Sequence, residues 1–158
     1  MTKLVLLSVG RLRGQGLKEA VADYEARLRH YVRFESIEVG AAGLPDARAD
    51  EARRLEATAL AKRIPADLEL IALTRDGKAW STRQLAKYLG DLLDYGRAGA
   101  AFVIGGAHGL GTSILERATR TLRLSSMTLP HEMARLVLTE QLYRAGTILR
   151  AEPYHKGS

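Results

Sequence analysis

Short apolar runs alternate with helix-periodic segments along this chain, and that alternation is its tightest constraint. Residues 4–9 form a continuous apolar run closed by Gly10, the pattern of a strand covered on both faces. Residues 17–31 switch to helical spacing through Leu17, Val21, Tyr24 and Leu28. A second strand is expected at 34–39, then a loop through Gly40, Gly43 and Pro45. Residues 47–63, rich in Ala, Arg and Glu with Leu55, Ala59 and Leu60 on one face, predict a helix that Pro65 stops. Residues 68–73 are a third apolar run, after which Asp76-Gly77-Lys78 is expected to turn the chain. Ser81 with Gln84 three residues on is a capping-box pattern for a helix ending near Tyr95. Residues 100–104 read as a fourth strand, and Thr112 or Ser113 as the cap of a short helix reaching Thr119. A fifth strand is expected at 122–125, and Pro130 suits the first position of a last helix ending near Leu149. Five strands alternating with helices imply an α/β fold, a mainly parallel sheet with helices on both faces.

The 158 residues suit one domain spanning 1–158, and 46% hydrophobic with 27% charged residues is an ordinary globular balance. No cysteine is present, which excludes disulfide scaffolds, thiolate zinc sites and cysteine nucleophiles. No apolar run approaches the ~20 residues of a membrane span. The first apolar run passes straight into Gly10-Arg11-Leu12-Arg13 without a signal-peptide cleavage site, so a cytoplasmic protein is expected. Lys plus Arg exceed Asp plus Glu by 24 to 18, a net charge of +6 that suits a phosphate-rich partner or plain solubility equally. The last helix carries Leu136, Val137, Leu138, Leu142, Tyr143, Ala145, Ile148 and Leu149. A helix apolar nearly all round is buried on several sides, and in so small a chain a second subunit is expected to cover one of them.

Ligands of open parallel sheets sit beyond the carboxyl ends of the strands. Three segments qualify: the turn after the third strand, the glycine stretch 105–111 and the segment before the last helix. The glycine stretch resembles a phosphate-binding loop, but Thr112 stands where the essential lysine would be. It is therefore read either as a backbone approach to a ligand or as a tight strand-to-helix turn. The four histidines (His30, His108, His131 and His155) have no metal-site spacing, and no metal is expected. Arg144 lies among apolar neighbours and needs a partner, either a carboxylate such as Glu140 or a ligand. It is thirteen residues beyond His131, more than half a turn around the axis. If both act on one substrate, a second subunit must bring one of them.

The run Leu124-Ser125-Ser126-Met127-Thr128-Leu129-Pro130-His131, with Arg135, residues 140–145 and Tyr154-His155-Lys156, resembles the RlmH family of SPOUT-class methyltransferases. Phe102-Val103-Ile104-Gly105-Gly106, Gly109-Leu110, Leu7-Ser8-Val9-Gly10 and residues 24–28 extend the resemblance over essentially the whole chain. Ala107-His108 departs from the Pro-Glu of some members, and Gly157-Ser158 extends past the Tyr-His-Lys ending. The resemblance implies a homodimeric α/β knot whose C-terminal segment threads a loop. It implies S-adenosylmethionine as donor and N3 of a pseudouridine in bacterial large-subunit ribosomal RNA as acceptor, within the assembled ribosome. The alternatives are another ribosomal or transfer RNA site, or a non-catalytic ribosome-associated RNA-binding protein. Carried over position by position, the cofactor would meet Leu73, Gly105, Gly106, Ser125, Ser126, Met127, Thr128, Leu129 and Pro130. Leu73, Met127 and Leu129 would be its apolar walls. His131 or His155 is the candidate base. Arg144 is the candidate to stabilise the deprotonated nucleobase or anchor a phosphate, and Tyr154 to stack on or hydrogen-bond to the base.

Overall fold

The computed structural model describes residues 2–156. The His155 side chain, read above as a candidate base, and the Gly157-Ser158 tail lie outside the described part. The elements are β1 (Lys3–Val9), α1 (Gln15–Leu28), β2 (Arg33–Val39), α2 (Ala49–Ala61), β3 (Glu69–Ala79), α3 (Thr82–Asp94), β4 (Gly99–Ile104), α4 (Thr112–Arg117), β5 (Arg120–Arg123) and α5 (His131–Leu149). Single 3-10 turns precede α2 at Asp46–Arg48 and follow α5 at Pro153–His155. The strands form one sheet in the order β2-β1-β4-β3-β5, with every neighbouring pair parallel.

Alternation within the strands divides the core into two layers. Leu4, Leu6, Ile71 and Phe102 face α1, α3 and α5, packing with Leu28, Leu89, Leu138 and Leu142. Val5, Leu7, Val9 and Val103 face the other way, against Leu60, Ile64 and Ile114 from α2, the segment after it and α4. Each of these leucines is buried, worth ~1.5–3 kcal/mol of transfer free energy apiece. The apolar circumference of α5 follows from its position, since it packs on α1, α3, β1 and β4 at once. Its buried Arg135, with 8% of the side chain exposed, is tied to Glu38 (2.6 Å), Ser36 (2.9 Å) and Glu25 (3.4 Å). That arginine is the more deeply buried cation of the helix, although the sequence pointed to Arg144.

The structure corrects four local expectations. Asp76-Gly77-Lys78 does not end the third strand: Leu73 and Lys78 both pair with Leu122, and residues 74–77 bow out between them. Gly77 makes this possible, because a Cβ there would lie 2.7 Å from the Leu122 carbonyl carbon. Strand β5 begins two residues earlier than its apolar signal, since pairing with β3 rather than burial defines Arg120 and Thr121 as strand. Gly111, not Thr112 or Ser113, is the residue before α4, and no side chain caps that helix. Pro130 stands one position outside α5, in extended conformation. The capping box forms as read, with Ser81 Oγ accepting from Gln84 N–H and the Gln84 side chain from Ser81 N–H.

Candidate functional site

The segments that follow Leu73, β4 and β5 converge on one cleft of about 570 Å3, within the range of ~300–1,000 Å3 usual for small-molecule sites. Of the residues expected to meet a cofactor, Leu73, Gly105, Gly106, Ser125, Met127, Thr128 and Leu129 line it, and Ser126 and Pro130 do not. Sequence reasoning also missed Thr74, Arg75, Arg53 and Arg123, which the fold brings to the same walls.

The glycine stretch makes a tight turn. Gly109 N–H donates to the Gly106 carbonyl at 3.0 Å, and Gly109 has φ +79°, a conformation glycine adopts without cost. A Cβ on Gly105 would lie 2.6 Å from the Gly109 carbonyl carbon. One on Gly106 would sit 3.0 Å from Val9 and 3.3 Å from the Glu56 carboxylate. The backbone is thus folded against itself with no room for side chains, a tight strand-to-helix turn that borders the cleft. His108 latches this turn to the loop before α2: its Nε2 is 3.1 Å from the Leu44 carbonyl oxygen, and Arg53 donates to the His108 carbonyl at 3.0 Å.

The segment after β5 is held by Ser125, whose Oγ accepts from Met127 N–H at 2.9 Å, a local turn that serine favours. Leu73 and Leu129 pack partly buried against the core as expected for apolar walls. Met127 does not, standing 78% exposed at the cleft rim. His131, in the first turn of α5, lines the cleft, and its Nε2 is buried without a hydrogen-bond partner. Gly10 makes space for the ring: a Cβ there would be 3.1 Å from His131 Nε2, and its φ of +85° favours glycine independently. Arg123 also carries a buried, unpartnered Nε. Buried polar groups are nearly always satisfied; of the five such atoms without a partner among the described residues (Ser8 Oγ, Glu56 Oε1, Arg123 Nε, His131 Nε2 and Arg135 Nε), two belong to residues that line the cleft.

Arg144 and Tyr154 lie elsewhere, among Tyr24, Tyr143 and Glu140. Arg144 donates to Glu140 at 2.9 and 2.6 Å, and its guanidinium lies 4.9 Å from the Tyr154 ring centroid. Tyr154 Oη is 3.2 Å from both Glu140 and Tyr24 Oη. The hydrogen bond to Glu140 raises the Arg144 pKa further, while burial and the bond to Tyr24 push the Tyr154 phenol well above its ordinary value. The tail that could have frayed is instead docked through the 4.7 Å contact of the Tyr143 and Tyr154 rings. As helical geometry required, His131 and Arg144 do not share a pocket within one subunit.

The sheet is all parallel, its cleft is built from the glycine-rich turn and from Ser125 and residues 127–129, and the family model described as a predicted SPOUT methyltransferase matches residues 2–155. The chain belongs to that family. It is 47% identical over 154 residues to a Gemmatimonas aurantiaca protein named ribosomal RNA large subunit methyltransferase H, covering 98% of this chain and 99% of that one. Among solved structures, a probable methyltransferase from Bordetella pertussis superposes with a TM-score of 0.58 at 21% identity, covering 92% of this chain and 95% of that one. A methyltransferase from Legionella pneumophila, solved with bound S-adenosylmethionine, superposes with a TM-score of 0.50 at 15% identity over 91% of this chain and 66% of its own. These two structures share the fold.

Proposed function

We propose that this chain transfers a methyl group from S-adenosylmethionine to large-subunit ribosomal RNA, the acceptor being N3 of a pseudouridine presented in the cytoplasm by the assembled ribosome. The observation that carries this reading is the convergence of three post-strand segments on a cleft lined by two residues, Arg123 and His131, whose buried nitrogens have no partner among the described residues. The residues fit the cofactor: Leu73 and Leu129 offer apolar surface, the 105–109 and 125–129 turns offer backbone groups, and Arg123 offers a donor suited to a carboxylate. When bound, S-adenosylmethionine supplies an activated methyl group that leaves a neutral thioether behind, so no acid is needed at the leaving group.

The chain's own residues then have two tasks. The first is alignment of the acceptor nitrogen, and orientation alone can supply ~7–11 kcal/mol of acceleration. The second is removal of the imide proton from N3, since only the deprotonated nitrogen has a lone pair free to attack. His131 Nε2, unpartnered at the cleft, accepts that proton in this scheme, with His155 as the other candidate base. Arg144 stabilises the resulting anion or holds a phosphate, and Tyr154 stacks on the base. Both are brought to the cleft by the second subunit of a homodimer, because they stand apart from it within one subunit.

Mass spectrometry of ribosomal RNA from cells lacking this protein tests the reading: one methyl group on one pseudouridine should be missing, and an unchanged modification profile rejects it. Turnover should be far better on assembled ribosomes than on a short stem-loop. At +6 per chain, electrostatic affinity for free RNA is modest and salt-sensitive.

A further inference from the structure

A second recess of about 510 Å3 lies beside β5 and α3, lined among others by Lys78, Trp80, Lys87, Tyr88 and Arg120. Its aromatic floor is ordered: the Trp80 and Tyr88 rings are 5.2 Å apart, and the Arg120 guanidinium lies 5.4 Å from the Tyr88 centroid. Trp80 is only partly buried although it packs on the core. The nearby acids are already engaged. Asp91 takes Lys87 at 2.7 Å, and Glu69 accepts from Tyr88 at 2.9 Å and pairs with Arg97. Lys78 is exposed and forms no ion pair among the described residues. Arg120 is half exposed, with Glu69 only at 4.0 Å.

We propose that this groove is an accessory site for a single-stranded segment of the RNA substrate, with a base stacking on Trp80, which the buried Tyr88 ring backs, and phosphates meeting Lys78 and Arg120. The inference rests on the ribosomal RNA reading above and extends it to a surface outside the catalytic cleft. Single-stranded RNA is bound through aromatic platforms flanked by cations, and here the free charges are cationic. The two recesses are also connected. Residues 74–77 take the chain from the cleft, which Arg75 and Asp76 line, to Lys78 in the groove. Along β5, Arg120 of the groove and Arg123 of the cleft are three residues apart, about 10 Å of strand. RNA with its target base in the cleft therefore has flanking nucleotides within reach of the groove.

The chain has a single tryptophan, so Trp80 reports its own contact. Titrating the full chain with a mixed-sequence single-stranded RNA decamer should quench tryptophan fluorescence. Lys78→Gln combined with Arg120→Gln should weaken that binding, and between 50 and 200 mM salt the parent should lose about sevenfold more affinity than the double variant. On ribosomal particles the double variant should raise KM roughly tenfold while kcat and S-adenosylmethionine affinity hold, which also shows that it is folded. No quenching, or quenching and KM indifferent to the double substitution, overturns the accessory site even if methylation of particles proceeds. Quenching lost in the double variant together with parent protein inert on every ribosomal particle upholds the groove and rejects the ribosomal RNA reading instead.

Discussion

Two of the polar clusters on helix α5, one at its start and one from its middle towards the docked tail, stand in opposite states. At its start His131 lines the cleft, with Nε2 buried against Gly10, 4.0 Å from Glu132 Oε1 and without a hydrogen-bond partner among the described residues; Arg123 Nε, on another residue of the same lining, also has none. Nine residues and about 14 Å further on, Glu140 accepts from Arg144 twice, from Tyr154 and from Gln141. The second cluster has satisfied its hydrogen bonds internally and the first has not. A satisfied network stiffens the helix and the docked tail, whereas the unsatisfied groups retain the full cost of their desolvation until something binds. In the proposed scheme the cleft carries recognition and chemistry, and the far cluster is the part that a second subunit brings to it.

Breaking the open end should have the largest effect. His131→Ala is expected to slow single-turnover methylation on saturating ribosomal particles by about 10²–10⁴-fold, with S-adenosylmethionine binding retained; an unchanged rate removes His131 from the chemistry. Gly105→Ala forces a Cβ to 2.6 Å from the Gly109 carbonyl carbon, an overpacking of about 1–3 kcal/mol. Calorimetry should then show cofactor affinity falling tenfold or more, and unaltered affinity would detach the glycine turn from the ligand. At the closed end, Glu140→Gln should lower stability by about 1.5–3 kcal/mol in denaturant unfolding and leave cofactor affinity alone. A change in cofactor affinity would mean that the two clusters communicate.

A smaller effect belongs to high pH. Burial and a hydrogen bond to Glu152 push the Tyr31 phenol up to about 12, and burial pushes Tyr88 up to about 12. Between pH ~10 and these values the folded chain holds protons that the unfolded chain has lost. This stabilisation is complete below the ordinary tyrosine value and fades as pH rises through about 12. Ultraviolet titration should find these two tyrosines ionising late, alongside falling thermal stability, and normal titration of both would contradict the described packing. Least of all, Lys87→Ala, which removes an exposed pair with Asp91 four residues on, should cost about 0.2–0.5 kcal/mol.

What could be read in advance follows the range of the interactions involved. Strands at 4–9, 34–39 and 100–104 and the Ser81–Gln84 box are local, being written in consecutive apolar residues or a three-residue spacing. The meeting of Leu73, Gly106 and Leu129 at one cleft was legible because parallel strands put their following turns at the same end. The paired role of Leu122 was not, because Asp76-Gly77 signals a turn equally well when a strand stops and when it bulges and continues. Arg53 reaches the His108 carbonyl from a helix 55 positions earlier, and no local pattern encodes that. Arg135 looked like one more helix cation until Glu25, Ser36 and Glu38 arrived from other elements.

The place of β4 has a consequence for how the chain comes to exist at all. Residues 99–104 lie in the middle of the sheet, wedged between β1 and β3, and every one of them is buried. Until that hexapeptide leaves the ribosome, the first 98 residues hold two strand sets with nothing to join them. Their apolar edges must wait for a sequence-distant insertion, a topology that folds slowly and exposes aggregation-prone surface meanwhile. A nascent fragment ending before β4 has no half-sized native state to fall into, so the protein matures late and all together.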